Sequence, residues 1–227
     1  MRRSVWMGAI AVLALLGTSS MAAAQACRGT APIGRAAASD YGFEGALVFP
    51  EEGTGFYGAF KWAPSLNLAL DFSGEYISDI TPGGGDLWVL GGTGAYRFFQ
   101  GSPREFPFDI CLHTGVLPFF GADGIDANGF VIPIGASFGN DFSLGQSSVR
   151  IAPYFNPNLA IQRVSNGASD TETLFYMDLG ASFLFSQGWY AGLSLIFGDG
   201  DRATGGDTEI RIRGGKILGR TAAPRRR

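Results

Sequence analysis

Charge is scarce in this sequence: only 16% of its 227 residues are Asp, Glu, Lys or Arg. There is one histidine, His113, and there are two cysteines, Cys27 and Cys111. A single histidine excludes the H-x-x-x-H and H-E-x-x-H metal sites. No serine sits in a nucleophile motif, so His113 has no evident catalytic partner. No glycine-rich stretch leads from a strand into a helix, which makes "TPGGGD" (81–86) a loop tip and not a phosphate cradle. Beyond residue 26 no apolar run reaches the about 18 residues that a membrane helix needs. The sequence therefore offers no catalytic residue, no resident metal and no cofactor. The basic residues Arg211, Arg213, Lys216, Arg220 and Arg225 to Arg227 gather at the C-terminal end, without interleaved aromatics. That composition predicts a solvated end and no nucleic-acid partner.

What is present begins with an address label. Arg2 and Arg3 precede an apolar run, "MGAIAVLALLG", and small residues ending in Ala24-Gln25-Ala26. A charged n-region, a short apolar core and an A-x-A site predict a signal peptide cleaved before Cys27. Ala24 stands where a lipoprotein signal would carry Leu, so lipidation of Cys27 is not the expected outcome. Losing Arg2 and Arg3 takes the formal charge from −3 to −5. Two cysteines in an exported chain are compatible with one disulfide.

Glycine (35 residues) and phenylalanine (19) are abundant, and the glycine-rich breaks recur at short spacing. This is an all-β composition with many turns. Hydrophobic residues make up 46%, too many for low-complexity disorder. Ten strands are predicted, at 41–49, 54–62, 66–78, 87–99, 107–119, 129–139, 147–160, 172–185, 188–198 and 207–218. Most are at least nine residues long, enough to cross a bilayer at a tilt. Alternation within them is strict. In "LNLALDFSGEY" (66–76), Leu68, Leu70 and Phe72 oppose Asp71 and Glu75. Elsewhere Trp88, Tyr96 and Phe98 oppose Arg97, and Leu179 and Phe183 oppose Asp178. The polar parity carries Glu44, Lys61, Asp71, Glu75, Arg97, His113, Arg150 and Asp178 in mid-strand. The apolar parity carries aromatics near strand ends. So many Phe and Trp side chains would overfill a small soluble core. Facing lipid, they form two girdles around an apolar band.

In this alternation, in the girdle aromatics and loop rhythm over 41–218 and in the signal peptide, the chain resembles the small outer-membrane β-barrels of the OmpA and OmpX kind. The stretch "YAGLSLIF" (190–197) is similar to their terminal β-signal, although it lies well before the end of the chain. The resemblance implies a closed antiparallel transmembrane β-barrel of ten strands, with eight as the alternative. It implies a signal peptide over 1–26, a periplasmic leader over 27–40, the barrel over 41–218 and a basic tail over 219–227. Location in the bacterial outer membrane follows, with membrane lipid and the insertion machinery as partners. The expected role is membrane-structural or surface-interactive, around a lumen filled by paired charges. A soluble barrel binding a small apolar ligand and a narrow passive channel are the alternatives. In the ten-strand register Cys111 points inward near the periplasmic rim, within reach of the leader, so a Cys27–Cys111 disulfide is expected. The loops "GADGIDANG" and "GDGDRATGGD" carry Asp123, Asp126, Asp199, Asp201 and Asp207. They lack the Glu of an EF-hand and are read as solvated turns, with calcium binding as the alternative.

Overall fold

The structure, a computed structural model, describes residues 40–65, 67–80, 85–102, 105–122, 128–140, 142–144, 148–165, 169–198 and 208–218. The leader sequences with Cys27, the Asp-bearing segments 123–127 and 199–207, Leu66 and the tail over 219–227 lie outside the described residues.

Alternating side chains with no helical period give strands, and the strands are β1 (Asp40–Pro50), β2 (Thr54–Ala63), β3 (Leu68–Ser78), β4 (Asp86–Phe99), β5 (Asp109–Ala122), β6 (Asn128–Gly139), β7 (Phe142–Ser143), β8 (Arg150–Ser165), β9 (Ser169–Leu184), β10 (Trp189–Gly198) and β11 (Thr208–Leu218). Neighbours in sequence pair antiparallel, except that β7 only flanks the start of β8 and β6 pairs directly with β8. β1 pairs with β11 from Tyr41–Leu218 to Pro50–Glu209. That contact closes a ring of ten strands and leaves the two-residue β7 outside it. An even count puts Asp40 and Leu218 at the same end, here called the terminal rim. The eight-strand alternative is excluded because β1 and β11 complete the wall.

Most strand ends shift by one to three residues from the sequence reading, and two of the shifts have one reason. β8 and β9 each run 16 residues, and they pair out to Ser165–Ser169. The stretch around Gln162, Arg163 and Glu172 is polar on both parities, so alternation fades while backbone pairing continues. Loss of alternation marks the edge of the apolar belt and not the end of the strand. β7 carries only two residues, too few for any period to show.

The barrel has its apolar surface outside. Phe43, Leu47, Phe56, Phe72, Leu90, Leu112, Leu179, Phe183, Leu193 and Ile212 are all exposed. Aromatics mark both ends of this belt. Tyr41, Trp62 and Trp189 lie toward the terminal rim, and Tyr76 and Trp88 meet in a tilted pair at the far rim with centroids 4.7 Å apart. Lys216 sits 4.7 Å over the Trp189 ring, an amphipathic pair at the belt's edge. Inside, the far end differs from the expected polar lumen. Leu87, Val89, Phe119, Val131, Ala160 and Leu174 form a buried apolar plug. On β4 and β5 both parities turn apolar toward that rim, so the alternation that reveals a polar face is absent there.

The wall has a soft sector. Pairing of β4 with β5 skips from Val89–Phe119 to Gly92–Val116, across Pro118. Pairing of β5 with β6 skips from Thr114–Ile134 to Leu117–Val131, across Pro133. Pairing of β6 with β8 skips from Gly135–Asn158 to Phe138–Phe155, across Pro157. Proline has no N–H to give, so each interruption removes a ladder bond on one side. The β1–β2 register has no such break. Hydrogen exchange on the folded protein should find the amides opposite the prolines, Leu90, Gly115 and Ala136, exchanging about tenfold faster than those of β1 and β2. Equal protection around the ring would contradict this.

Candidate functional site: the barrel lumen

Ionisable side chains enter the lumen from strands whose other face is apolar, so they must find partners there. Lys61 on β2 is 1% exposed. Asp71 stands directly opposite it on β3, and the Lys61 Nζ lies 2.6 Å from Asp71 Oδ2. The same nitrogen lies 3.4 Å from Glu44 Oε1 on β1. Tyr190 donates its hydroxyl to Glu44 at 2.8 Å, and Tyr57 donates to Asp71 at 3.4 Å. One ammonium thus serves two carboxylates, each also held by a tyrosine.

A second group repeats this arithmetic with arginine. Arg211 on β11 donates through Nη2 to both oxygens of Glu75 on β3, at 3.0 and 3.1 Å. Its Nε donates to Glu209. β3 and β11 are separated by β2 and β1, so this guanidinium reaches across the lumen. It also lies 5.3 Å over the Tyr57 ring, which joins the second group to the first.

The third group is mostly uncharged and lies on β5, β6, β8 and β9. His113 Nε2 bonds Asn158 Oδ1 at 2.5 Å. Asn158 donates to the Asn156 carbonyl at 2.9 Å, and Ser137 donates to Asn156 Oδ1 at 2.6 Å. Asp178 accepts from Tyr154 at 3.1 Å and from Asn156 at 3.4 Å. Because Asn158 presents its carbonyl oxygen, His113 Nε2 must be the donor. β6 lies between His113 and Asn158, and their bond passes over Gly135. A Cβ there would stand 2.3 Å from Asn158 Oδ1 and 2.7 Å from His113 Nε2, so only glycine leaves the path clear.

Of the residues singled out from the sequence, Glu44, Lys61 and Asp71 make one cluster, and Glu75 reaches it through Arg211. His113 and Asp178 belong to the amide chain. Arg97 lies apart, toward the terminal rim, 3.6 Å from Asp109 and donating to Asn67 Oδ1 at 2.8 Å. Arg150 opens β8 at that rim, in register with Ser143 and Leu184. Cys111 is fully buried on the inward parity of β5, and no free cysteine occurs among the described residues. The pairing with Cys27 lies outside them.

Arg211, Arg213 and Glu209 were missed. The reading of the C-terminal basic residues as a solvated end is wrong for Arg211 and Arg213, which are lumen groups. The signal was available: in "TEIRIRGGKIL" Glu209, Arg211 and Arg213 alternate with Ile210 and Ile212. Charge clustering along the chain hid a face that only alternation reveals.

A cavity of about 100 Å³ lies between the ion-paired wall and the apolar plug, lined by Glu75, Asp178, Arg211 and Arg213 on one side and by Val89, Leu117 and Leu174 on the other.

No protein-family model matches the chain, and none of the curated proteins does. Among solved structures it is similar to the N-terminal β-barrel domain of Pseudomonas aeruginosa OprF, at 13% identity and a TM-score of 0.36, over 79% of this chain and 98% of that one. Similarity of that degree carries no argument. The barrel rests on its own strand register.

Replacing Lys61 with Met leaves Glu44 and Asp71 buried without their cation. It should cost ~3–5 kcal/mol in reversible urea unfolding, and adding Asp71→Asn should recover part of the loss. A cost below about 1 kcal/mol would mean that solvent, not Lys61, compensates these carboxylates.

Proposed function

We propose that this chain is an outer-membrane β-barrel protein with a membrane-structural or surface-interaction role and a lumen closed by its own paired charges. The observation that carries the reading is the inverted burial: Phe, Leu, Ile and Trp outside, and Lys61, Asp71, Asp178 and Glu209 inside. A soluble barrel would lose free energy by exposing such a belt to water, whereas hydrocarbon favours it. Strands of 10 to 16 residues in the ring are long enough to span a bilayer at a tilt. Ring closure leaves no strand edge facing the lipid. The same inversion argues against a soluble carrier of apolar ligands, which would turn its apolar parity inward.

The lumen supports a structural role better than bulk transport. Lys61 ties its neighbours β1 and β3 on the lumen side, Arg211 reaches past two strands to Glu75, and the apolar plug narrows the far end. The leader follows the same logic at the other mouth. In this reading Cys27 pairs with Cys111 and ties the leader over the terminal rim.

Membrane fractionation with heated and unheated electrophoresis tests the main proposal. The protein should sediment with outer membranes and change mobility on heating. A soluble product would overturn the reading. In planar bilayers the same preparation should give no large, steady conductance. Porin-like currents would replace the structural role with that of a channel. For the disulfide, thiol labelling of protein taken from the oxidising compartment should modify neither cysteine until a reductant is added. Labelling of both without reductant would refute the bridge.

A further inference from the structure

The lumen's ions do not all find partners. Lys61 holds Glu44 and Asp71, and Arg211 holds Glu75 and Glu209. Two groups of opposite sign make no direct ion pair among the described residues, although Glu44 acts on Arg213, and Arg211 on Asp178, through space. Arg213 is 5% exposed, and its Nε and Nη2 have no hydrogen-bond partner among the described residues. Its guanidinium rests 4.9 Å over the Tyr154 ring. Asp178 is 2% exposed and accepts from Tyr154 and Asn156, but it makes no ion pair among the described residues. Tyr154 touches both groups, its ring against Arg213 and its hydroxyl against Asp178. This cation and this anion therefore lie within the span of one tyrosine and its two contacts. Both line the same cavity of about 100 Å³. Ser194 lines it too, and its hydroxyl oxygen is buried with no partner among the described residues.

We infer that this cavity is a binding site for a small zwitterion of amino-acid size, its carboxylate toward Arg213 and its ammonium toward Asp178. Charge decides between the candidate ligands. The central lumen holds Glu44, Asp71, Glu75, Asp178 and Glu209 against Lys61, Arg211 and Arg213, so an added lone anion meets an excess of carboxylates. A lone cation leaves the buried guanidinium unpaired. A zwitterion satisfies both ends without changing the net charge. Size points the same way. The cavity has room for several waters, and so for a small molecule of a handful of non-hydrogen atoms. Val89, Leu117 and Leu174 close its other side and suit a methyl group or a bare methylene.

The site does not rest on the membrane reading. Fractionation tests the wall, and ligand binding tests the lumen. The experiment is calorimetry on the folded, detergent-solubilised protein with L-alanine, propionate and ethylamine as three separate probes. Alanine should bind, and propionate and ethylamine should each bind at least about tenfold more weakly, a difference of about 1.4 kcal/mol. In Arg213→Gln the advantage of alanine over ethylamine should vanish. In Asp178→Asn its advantage over propionate should vanish. Heat-shifted mobility reports whether each variant folds, and the three-probe comparison on the unmodified protein decides the matter if neither does. No heat with alanine at about 10 mM, a range in which even weak small-ligand binding registers, would overturn the proposal and leave the cavity to water. Propionate or ethylamine binding as tightly as alanine would overturn it as well.

Discussion

The wall of this barrel has to satisfy its own backbone, because the belt of Leu, Phe and Trp around it offers no hydrogen bonds. The contact between β1 and β11 makes that possible. Without it two strand edges would stand open, and every unpaired amide along them would face an apolar surround. Closure also fixes the rest. Once the ring is complete, each residue of one parity must point outward and each of the other inward. Pro118, Pro133 and Pro157 are tolerated because each removes a bond on one side only, and the register resumes two residues later.

Closure turns alternation into a problem of charge. Glu44, Lys61 and Asp71 cannot turn to solvent without turning Phe43, Phe60 and Phe72 into the lumen. They are compensated within the ring instead. One cation serves two acids at Lys61, and the same happens at Arg211. Tyrosines supply the remaining donors. This arrangement leaves the groups around Tyr154 as the part of the interior not explained by pairing. The glycines at inward positions belong to the same economy of space. Gly135 lets His113 meet Asn158 over the top of β6.

Much of this was legible in the sequence. Asp71 and Glu75 between Leu70, Phe72 and Tyr76 give both the strand and its inward face, since a period of two has only two faces to choose from. The even strand count followed from short turns and from both ends lying on one side. Less was legible where alternation fades. Leu87, Val89 and Phe119 sit on the inward parity beside outward Trp88, Leu90 and Phe120, and no pattern in an all-apolar run says which face is which. Arg211 and Arg213 alternated plainly with Ile210 and Ile212 but were read as part of a basic end.

The sequence by itself determined the class of fold, the orientation of most strands and the identity of most lumen charges, because pleat geometry converts alternation directly into facing. Only the tertiary structure decided which charge meets which. Lys61 and Asp71 are neighbours in the ladder, but Arg211 reaches Glu75 past two intervening strands, and Arg213 meets Asp178 only through Tyr154. Those distances depend on ring closure and on how far each side chain crosses the lumen, which no local pattern along the chain encodes.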